Sequence, residues 1–273
     1  MGAFFLPKDI GFVDIVMTMK LGFIGTGKIA SSVITGICNS KIKYNKITIS
    51  KRNTKVSLNL KKRFKKISIS KNNQNIVDNS DWVFLAVTPS VGEKIIKKLT
   101  FKSKQTIVSF ISTITLSELK KMIKVKADIV RAIPLPPISL KKGPVPICPP
   151  NRKVKKFFDQ IGSTVEIKNE KLSINFWSTS GMMASYYDML RVMSDWLVKK
   201  GIKRLDAQKY ITSLFLALSE DAVIHSKKEL RYLVRESQTP KGLNEQGLKE
   251  MSKKNVYKSI VGTLNSIHKR LSK

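Results

Sequence analysis

"MKLGFIGTGKIASSVITGI", Met19 to Ile37, changes its period in the middle. Leu21, Phe23 and Ile24 form a short apolar run suited to a buried strand, whereas Ile29, Val33, Ile34 and Ile37 recur at helical spacing. Between them lies Gly25-Thr26-Gly27-Lys28-Ile29-Ala30. Gly25 allows a tight turn, Gly27 lets the backbone come close to a pyrophosphate, and Ala30 in the third small position permits close helix–strand packing. The N–H groups that open the helix point at such an anion. Strand, glycine turn and helix in this order predict a dinucleotide-binding unit with Gly25, Thr26, Gly27, Lys28 and Ile29 at the cofactor. A tight turn of purely structural use is the plainer alternative.

The next strand, "NKITIS", ends at Ser50 and is followed by Lys51, Arg52, Asn53 and Thr54. An NAD site places an acidic residue here to accept from the ribose 2′-hydroxyl, and none is present. Hydroxyl, amide and cationic groups suit a 2′-phosphate instead. NADPH is therefore the expected cofactor, with NADH the alternative, and Ser50 and Arg52 are the candidates for the phosphate. The bland reading is that they solvate a strand end.

Strand and helix patterns continue to alternate. "KKISIS" and "DWVFLAV" read as strands, then "QTIVSFIS", "ADIVRAIP", "PVPICP" and "STVEI". This predicts an α/β fold with a Rossmann-type doubly wound parallel sheet. Its ligand belongs beyond the carboxyl ends of the strands, where Val87, Thr88, Pro89, Ser112, Ile133 and Pro134 fall. Val87, Thr88 and Pro89 complete the expected cofactor set, and Pro89 suits the first position of a helix. The sheet domain is expected over 19–167 and an all-α domain over 168–273, with residues 1–18 an extension outside the fold.

The composition of the 273 residues is that of a globular chain, 42% apolar and 8% aromatic. Its 51 Lys and Arg against 19 Asp and Glu give a formal charge of +32. The cations are mostly lysine and run through the whole length, and no zinc-finger, RRM or helix-turn-helix pattern accompanies them, so a specific nucleic-acid partner is not expected. Two cysteines and two histidines lie far from any metal-ligand spacing, so no metal site is expected either. So few thiols suit a reducing cytoplasm, and no apolar run reaches membrane-spanning length.

After Asn169 the strand periodicity stops. "SINFWSTSGMMASYYDMLRVMSDWLVKKG" reads as helix with a break at Ser180-Gly181, followed by "RLDAQKYITSLFLALSEDAVIHS", "KELRYLVRES" and "NVYKSIVGTLNSIHKRLSK". These helices carry too many apolar faces to stand alone and are expected to pair with a second copy, as a homodimer or higher homo-oligomer. One stretch, "TPKGLNEQGL" from Thr239 to Leu248, interrupts them with a polar, glycine-containing turn.

"MKLGFIGTGKIA", "DWVFLAVTP", "IVRAIPLPP" and "TPKGLNEQGL", in this order and at these separations, resemble the pyrroline-5-carboxylate reductases over nearly the whole chain from Met19. The resemblance implies hydride transfer from NAD(P)H to the C=N carbon of a cyclic imino acid, giving L-proline. It also implies that the imine lies between the nucleotide domain of one subunit and the helical domain of a dimer. Ser180, Gly181, Met183, Gly242, Leu243 and Asn244 match the family's substrate positions. Hydride transfer depends on holding donor and acceptor carbons close and aligned, so a scarcity of histidine is no obstacle.

The departures cluster at the substrate. The family's P-G-G-T-T turn is Pro240-Lys241-Gly242-Leu243-Asn244 here, and Asn244 stands where a threonine bonds the imine nitrogen. Asn244 is therefore the candidate catalytic residue, since an amide both donates and accepts. The G-S-G-P-A-Y helix start has become Ser180-Gly181-Met182-Met183-Ala184-Ser185, and the two methionines also suit plain helix packing. Thr88 replaces a lysine and Leu135 an asparagine.

Overall fold

The computed structural model describes residues 19–272, so the extension expected over 1–18 lies outside the described residues. A break between Lys171 and Leu172 divides the chain into two compact units.

The first unit alternates strand and helix: β1 (Met19–Ile24), α1 (Lys28–Cys38), β2 (Tyr44–Ser50), α2 (Thr54–Arg63), β3 (Ile67–Ser70), α3 (Asn73–Asp78) and β4 (Trp82–Leu85). It continues with α4 (Pro89–Ile96), β5 (Thr106–Ser109), α5 (Leu116–Ile123), β6 (Asp128–Ala132), β7 (Pro144–Cys148), α6 (Arg152–Phe158) and β8 (Ser163–Glu166). The strands form one sheet in the order β3-β2-β1-β4-β5-β6-β7-β8. Each strand predicted from the sequence is present.

One expectation is corrected. β7 runs antiparallel to β6, with Arg131 opposite Cys148 and Ala132 opposite Ile147. The reason is the connection, which holds only a 3-10 turn at Pro136–Leu140 and no full crossover helix. A parallel return needs a crossover of a dozen or more residues. α6 supplies one, and β8 is again parallel to its neighbour.

Both faces of the sheet are covered, which is why its strands read as near-continuous apolar runs. Successive residues of β4 alternate between two cores: Phe84 packs with α1 and α6, Val83 and Leu85 with α3, α4 and α5. Phe84 stacks on Phe23 of β1 at 4.3 Å between ring centroids, and Trp82 on Phe157 of α6 at 4.8 Å. Strand order reverses between β1 and β4, and the crevice at that reversal is where this kind of sheet takes its ligand.

The second unit is helical: α7 (Ser173–Ser180), α8 (Met183–Lys199), α9 (Arg204–Ile224), α10 (Arg231–Glu236), α11 (Leu243–Lys253) and α12 (Val256–Leu271). α8 packs on α9, and α12 on both α7 and α11. The expected break falls at Gly181-Met182. α10 is shorter than its apolar pattern suggests, because His225 to Lys228 close a turn onto Val223 and His225 carbonyls first. Among the described residues of this unit only Ala207 and Ile211 are buried apolar side chains. Leu205, Tyr210, Leu216, Leu218, Val223 and Ile224 of α9 are all more than half exposed. So many exposed apolar side chains on one helix mark an interaction surface.

Candidate functional site

The glycine turn is braced from beneath. The Gly25 N–H donates to Ser50 Oγ at 2.9 Å, and Thr26 Oγ1 donates to the Ser50 carbonyl at 3.4 Å and accepts from the Asn53 N–H at 3.3 Å. Thr26 and Ser50 are both buried. The Ser50 hydroxyl expected at a 2′-phosphate thus serves the turn, coupling the end of β1 to the end of β2. Arg52 is exposed beyond it, beside Asn53, whose side chain caps α2 by accepting from the Val56 N–H.

The two glycines differ in what demands them. Gly25 has φ +105, and a Cβ there would lie 2.3 Å from the Ala86 carbonyl oxygen, so the fold itself requires glycine. Gly27 has φ −73, which any residue adopts, and a Cβ there would meet nothing within 4 Å. No internal contact accounts for it. The first helical bond of α1 runs from the Ser31 N–H to the Gly27 carbonyl, so the amides of Lys28, Ile29 and Ala30 have no partner within the helix. An open surface over unpartnered amides fits a pyrophosphate. Ile29 packs its side chain on the core and Ala30 is buried, so both offer the backbone only, whereas Lys28 is exposed.

Across the crevice, Ala86 passes next to Gly25, Val87 turns its side chain into the core, and Thr88 stands at the N-cap position of α4 ahead of Pro89, its hydroxyl 3.3 Å from Ser90 Oγ. The structure thus brings Gly25 to Ile29, Arg52 and Val87 to Pro89 to one edge of the sheet. A cavity of about 680 Å³ lies elsewhere, between β2, β3 and α3.

Sequence reasoning missed Arg131. This β6 guanidinium is buried, pairs with Glu170 and donates to the Ser112 carbonyl, and Glu170 also accepts from the Leu116 N–H at 2.9 Å. The clasp holds the carboxyl ends of β5 and β6 to the last residues of the unit. The available signal was a lone arginine inside the apolar run "DIVRAIP", since a charge buried in a sheet needs a partner.

In the helical unit, Gly242 caps α11 and donates its N–H to the Thr239 carbonyl at 2.8 Å. The polar turn is therefore shorter than read: Leu243 and Asn244 already belong to the helix. Lys241 holds φ +62, a left-handed conformation at a position where the family pattern has glycine. Leu243 is 87% exposed. Asn244 Nδ2 donates to the Ser237 carbonyl at 2.7 Å, and because a carbonyl only accepts, the amide oxygen must face away. Glu245 is taken up by the turn. It accepts from the Lys241 N–H at 2.6 Å and pairs with Lys249, and these contacts, Lys249 foremost, hold its carboxyl below the usual range.

Ser180 Oγ donates to the Phe176 carbonyl within α7. Gly181 lets α12 close in, since a Cβ there would lie 3.1 Å from Ile267 Cδ1. Met183 stands half-exposed at the start of α8.

Comparison with known proteins separates the two units. Residues 20–114 match the family model "NADP oxidoreductase coenzyme F420-dependent", and residues 172–273 match "Pyrroline-5-carboxylate reductase dimerisation". A pyrroline-5-carboxylate reductase of Staphylococcus saprophyticus is 23% identical over 246 residues, covering 86% of this chain and 90% of that protein. The 1-pyrroline-5-carboxylate reductase structure from Streptococcus pyogenes superposes with a TM-score of 0.76 at 22% identity, covering 93% of this chain and 98% of that one. The Plasmodium falciparum pyrroline carboxylate reductase with NADP bound gives 0.76 at 21%, covering 92% and 96%. With the two family models in succession along one chain and near-complete coverage of full-length relatives, the chain is similar throughout to the pyrroline-5-carboxylate reductases, oxidoreductases that act on C=N bonds, and its second unit matches their dimerisation domain.

Proposed function

We propose that this protein reduces 1-pyrroline-5-carboxylate to L-proline, the last step of proline biosynthesis, with NADPH as hydride donor. The observation that carries the reading is Gly27: a glycine whose backbone needs no glycine, beneath open space and beside unpartnered helix amides. NADPH, when bound, supplies the hydride. The amides of Lys28 and Ile29 hold its pyrophosphate, and Arg52 takes the 2′-phosphate in a stretch without carboxylates. Asn244 presents its Oδ1 to the N–H of the protonated imine, while its Nδ2 stays anchored on Ser237. Gly242 and Ser180 to Met183 shape the surroundings of the substrate ring and carboxylate. The exposed apolar surface of the helical unit pairs with a second copy, and a chain with only two cysteines suits the cytoplasm.

A related cyclic imine is the second reading. It is favoured by Lys241 and the exposed Leu243 in place of the family's glycine and threonine. NADPH oxidation followed with pyrroline-5-carboxylate and then with five- and six-membered cyclic imines decides between them. Proline formation from pyrroline-5-carboxylate supports the first reading; turnover only of another imine supports the second. Nucleotide binding without any turnover refutes both and leaves a non-catalytic paralogue.

A further inference from the structure

Between Met19 and Val77, from β1 through most of α3, the sequence holds 14 Lys and Arg and no Asp or Glu. Topology gathers part of this charge at one place. β1, β2 and β3 are parallel neighbours, so the segments leaving their carboxyl ends emerge at the same sheet edge. Lys28 comes directly after the glycine turn, Lys51 and Arg52 after β2, Lys55 stands in the first turn of α2, and Lys71 comes after β3. The strand ends are tied together, Lys51 donating its N–H to the Ser70 carbonyl at 3.1 Å. All five side chains are exposed, and none forms an ion pair among the described residues.

The nearest carboxylates are placed elsewhere or neutralised. Asp81 accepts from the Lys20 N–H at the opposite edge, where β1 begins. Asp78, at the end of α3, accepts from Gln74. Glu93 of α4 is paired with Lys97. A solvated lysine face elsewhere in this chain looks different: on α6, Lys155 is matched to Asp159, and on α11 Lys249 to Glu245. Unmatched like charge in one region costs the folded state self-repulsion and raises the local concentration of anions.

We propose that this acid-free edge is an electrostatic capture surface for phosphorylated dinucleotides. Lys55 and Lys71, outside the glycine turn, increase the preference for NADPH over NADH by acting on the additional phosphate at a distance. The inference rests on the dinucleotide reading above and adds to it two residues that no motif marks. A unit charge roughly 10 Å from a doubly charged phosphate in water, screened at about 0.1 M salt, biases binding by a factor near 1.7, so the pair together gives about threefold. NADH lacks that phosphate and gains less.

The test uses the full chain and needs no turnover. NADPH and NADH dissociation constants are measured by nucleotide fluorescence from about 25 to about 300 mM NaCl, across which the Debye length falls severalfold. The proteins are the wild type, Lys55→Gln/Lys71→Gln and, as control, Lys120→Gln/Lys121→Gln in the last turn of α5. The expected result is a steeper salt dependence for NADPH than for NADH in the wild type. The Lys55/Lys71 variant loses about threefold in NADPH affinity at about 0.1 M salt and about fivefold at the low-salt end, has a shallower slope and a smaller loss for NADH, and the control matches the wild type. Equal slopes for the two nucleotides, or equal losses in variant and control, overturn the proposal while leaving the dinucleotide site standing. Failure of the wild type to bind either nucleotide overturns the dinucleotide reading itself.

Discussion

Replacing Gly27 by alanine separates a ligand requirement from a folding requirement. At Gly27 the backbone is compatible with any L residue, and the added methyl meets no atom within 4 Å. Its cost in stability is therefore within about 0.5 kcal/mol, the size of small backbone-entropy and capping differences. The same methyl stands between a pyrophosphate and the amides that open α1. Displacing the anion forfeits about two charge-assisted hydrogen bonds of roughly 1.5–3 kcal/mol each, so NADPH affinity falls on the order of a hundredfold or more. Gly25→Ala is the contrast. There the methyl lies 2.3 Å from the Ala86 carbonyl oxygen at φ +105, and the fold loses about 2–4 kcal/mol from strain and displacement together. Urea unfolding and NADPH fluorescence titration on both variants read the two quantities independently. Wild-type NADPH affinity in Gly27→Ala refutes the assignment of the open space to the cofactor, and a Gly25→Ala protein as stable as wild type refutes the account of the turn.

Four further outcomes are expected. Asn244→Ala lowers imine turnover at least tenfold, about the worth of one hydrogen bond to a charged partner, while NADPH affinity stays at the wild-type value; equal turnover removes Asn244 from the site. Leu216→Glu on α9, where Leu216 is 57% exposed in the single chain, shifts the protein toward monomer in light scattering because it charges a surface expected to be covered by a second copy. Arg131→Leu leaves the Glu170 carboxylate without its buried partner and costs about 3 kcal/mol in urea unfolding. Thr115→Ala breaks a capping box in which the Thr115 N–H and hydroxyl hold the Glu118 carboxyl below its ordinary range. Its folded-state pKa is depressed, so that contribution is present above about pH 4.3 and fades as pH falls through the folded value. The variant is therefore about 1 kcal/mol less stable at neutral pH, with a smaller deficit in acid.

The turn from Thr239 to Gly242 has a physical consequence of its own. A lysine at φ +62 is strained relative to glycine, and the Glu245 carboxylate that accepts its N–H offsets that strain locally. The turn has thus been rebuilt as a stable helix start with its own capping contacts, and Asn244 is anchored by the same rebuilding.

The sequence by itself determined the eight strands, the glycine turn and the break at Gly181, because each is local: a change of period, a glycine between a strand and a helix, a proline at a helix start. It also made the family legible, through the order of four motifs that hardly depends on any one of them. Only the tertiary structure decided the direction of β7, since a proline-rich connection of marginal length reads the same whether the chain returns or crosses. Tertiary structure also reassigned Ser50, because a hydroxyl at a strand end becomes a brace or a ligand contact according to what lies 25 residues earlier in sequence and 2.9 Å away in space. The partner of Arg131 and the orientation of the Asn244 amide were likewise invisible, since both depend on carbonyls and carboxylates that no spacing rule places. Local periodicity specifies elements; the pairing of polar groups across elements waits on packing, because only packing removes the water that would otherwise satisfy them.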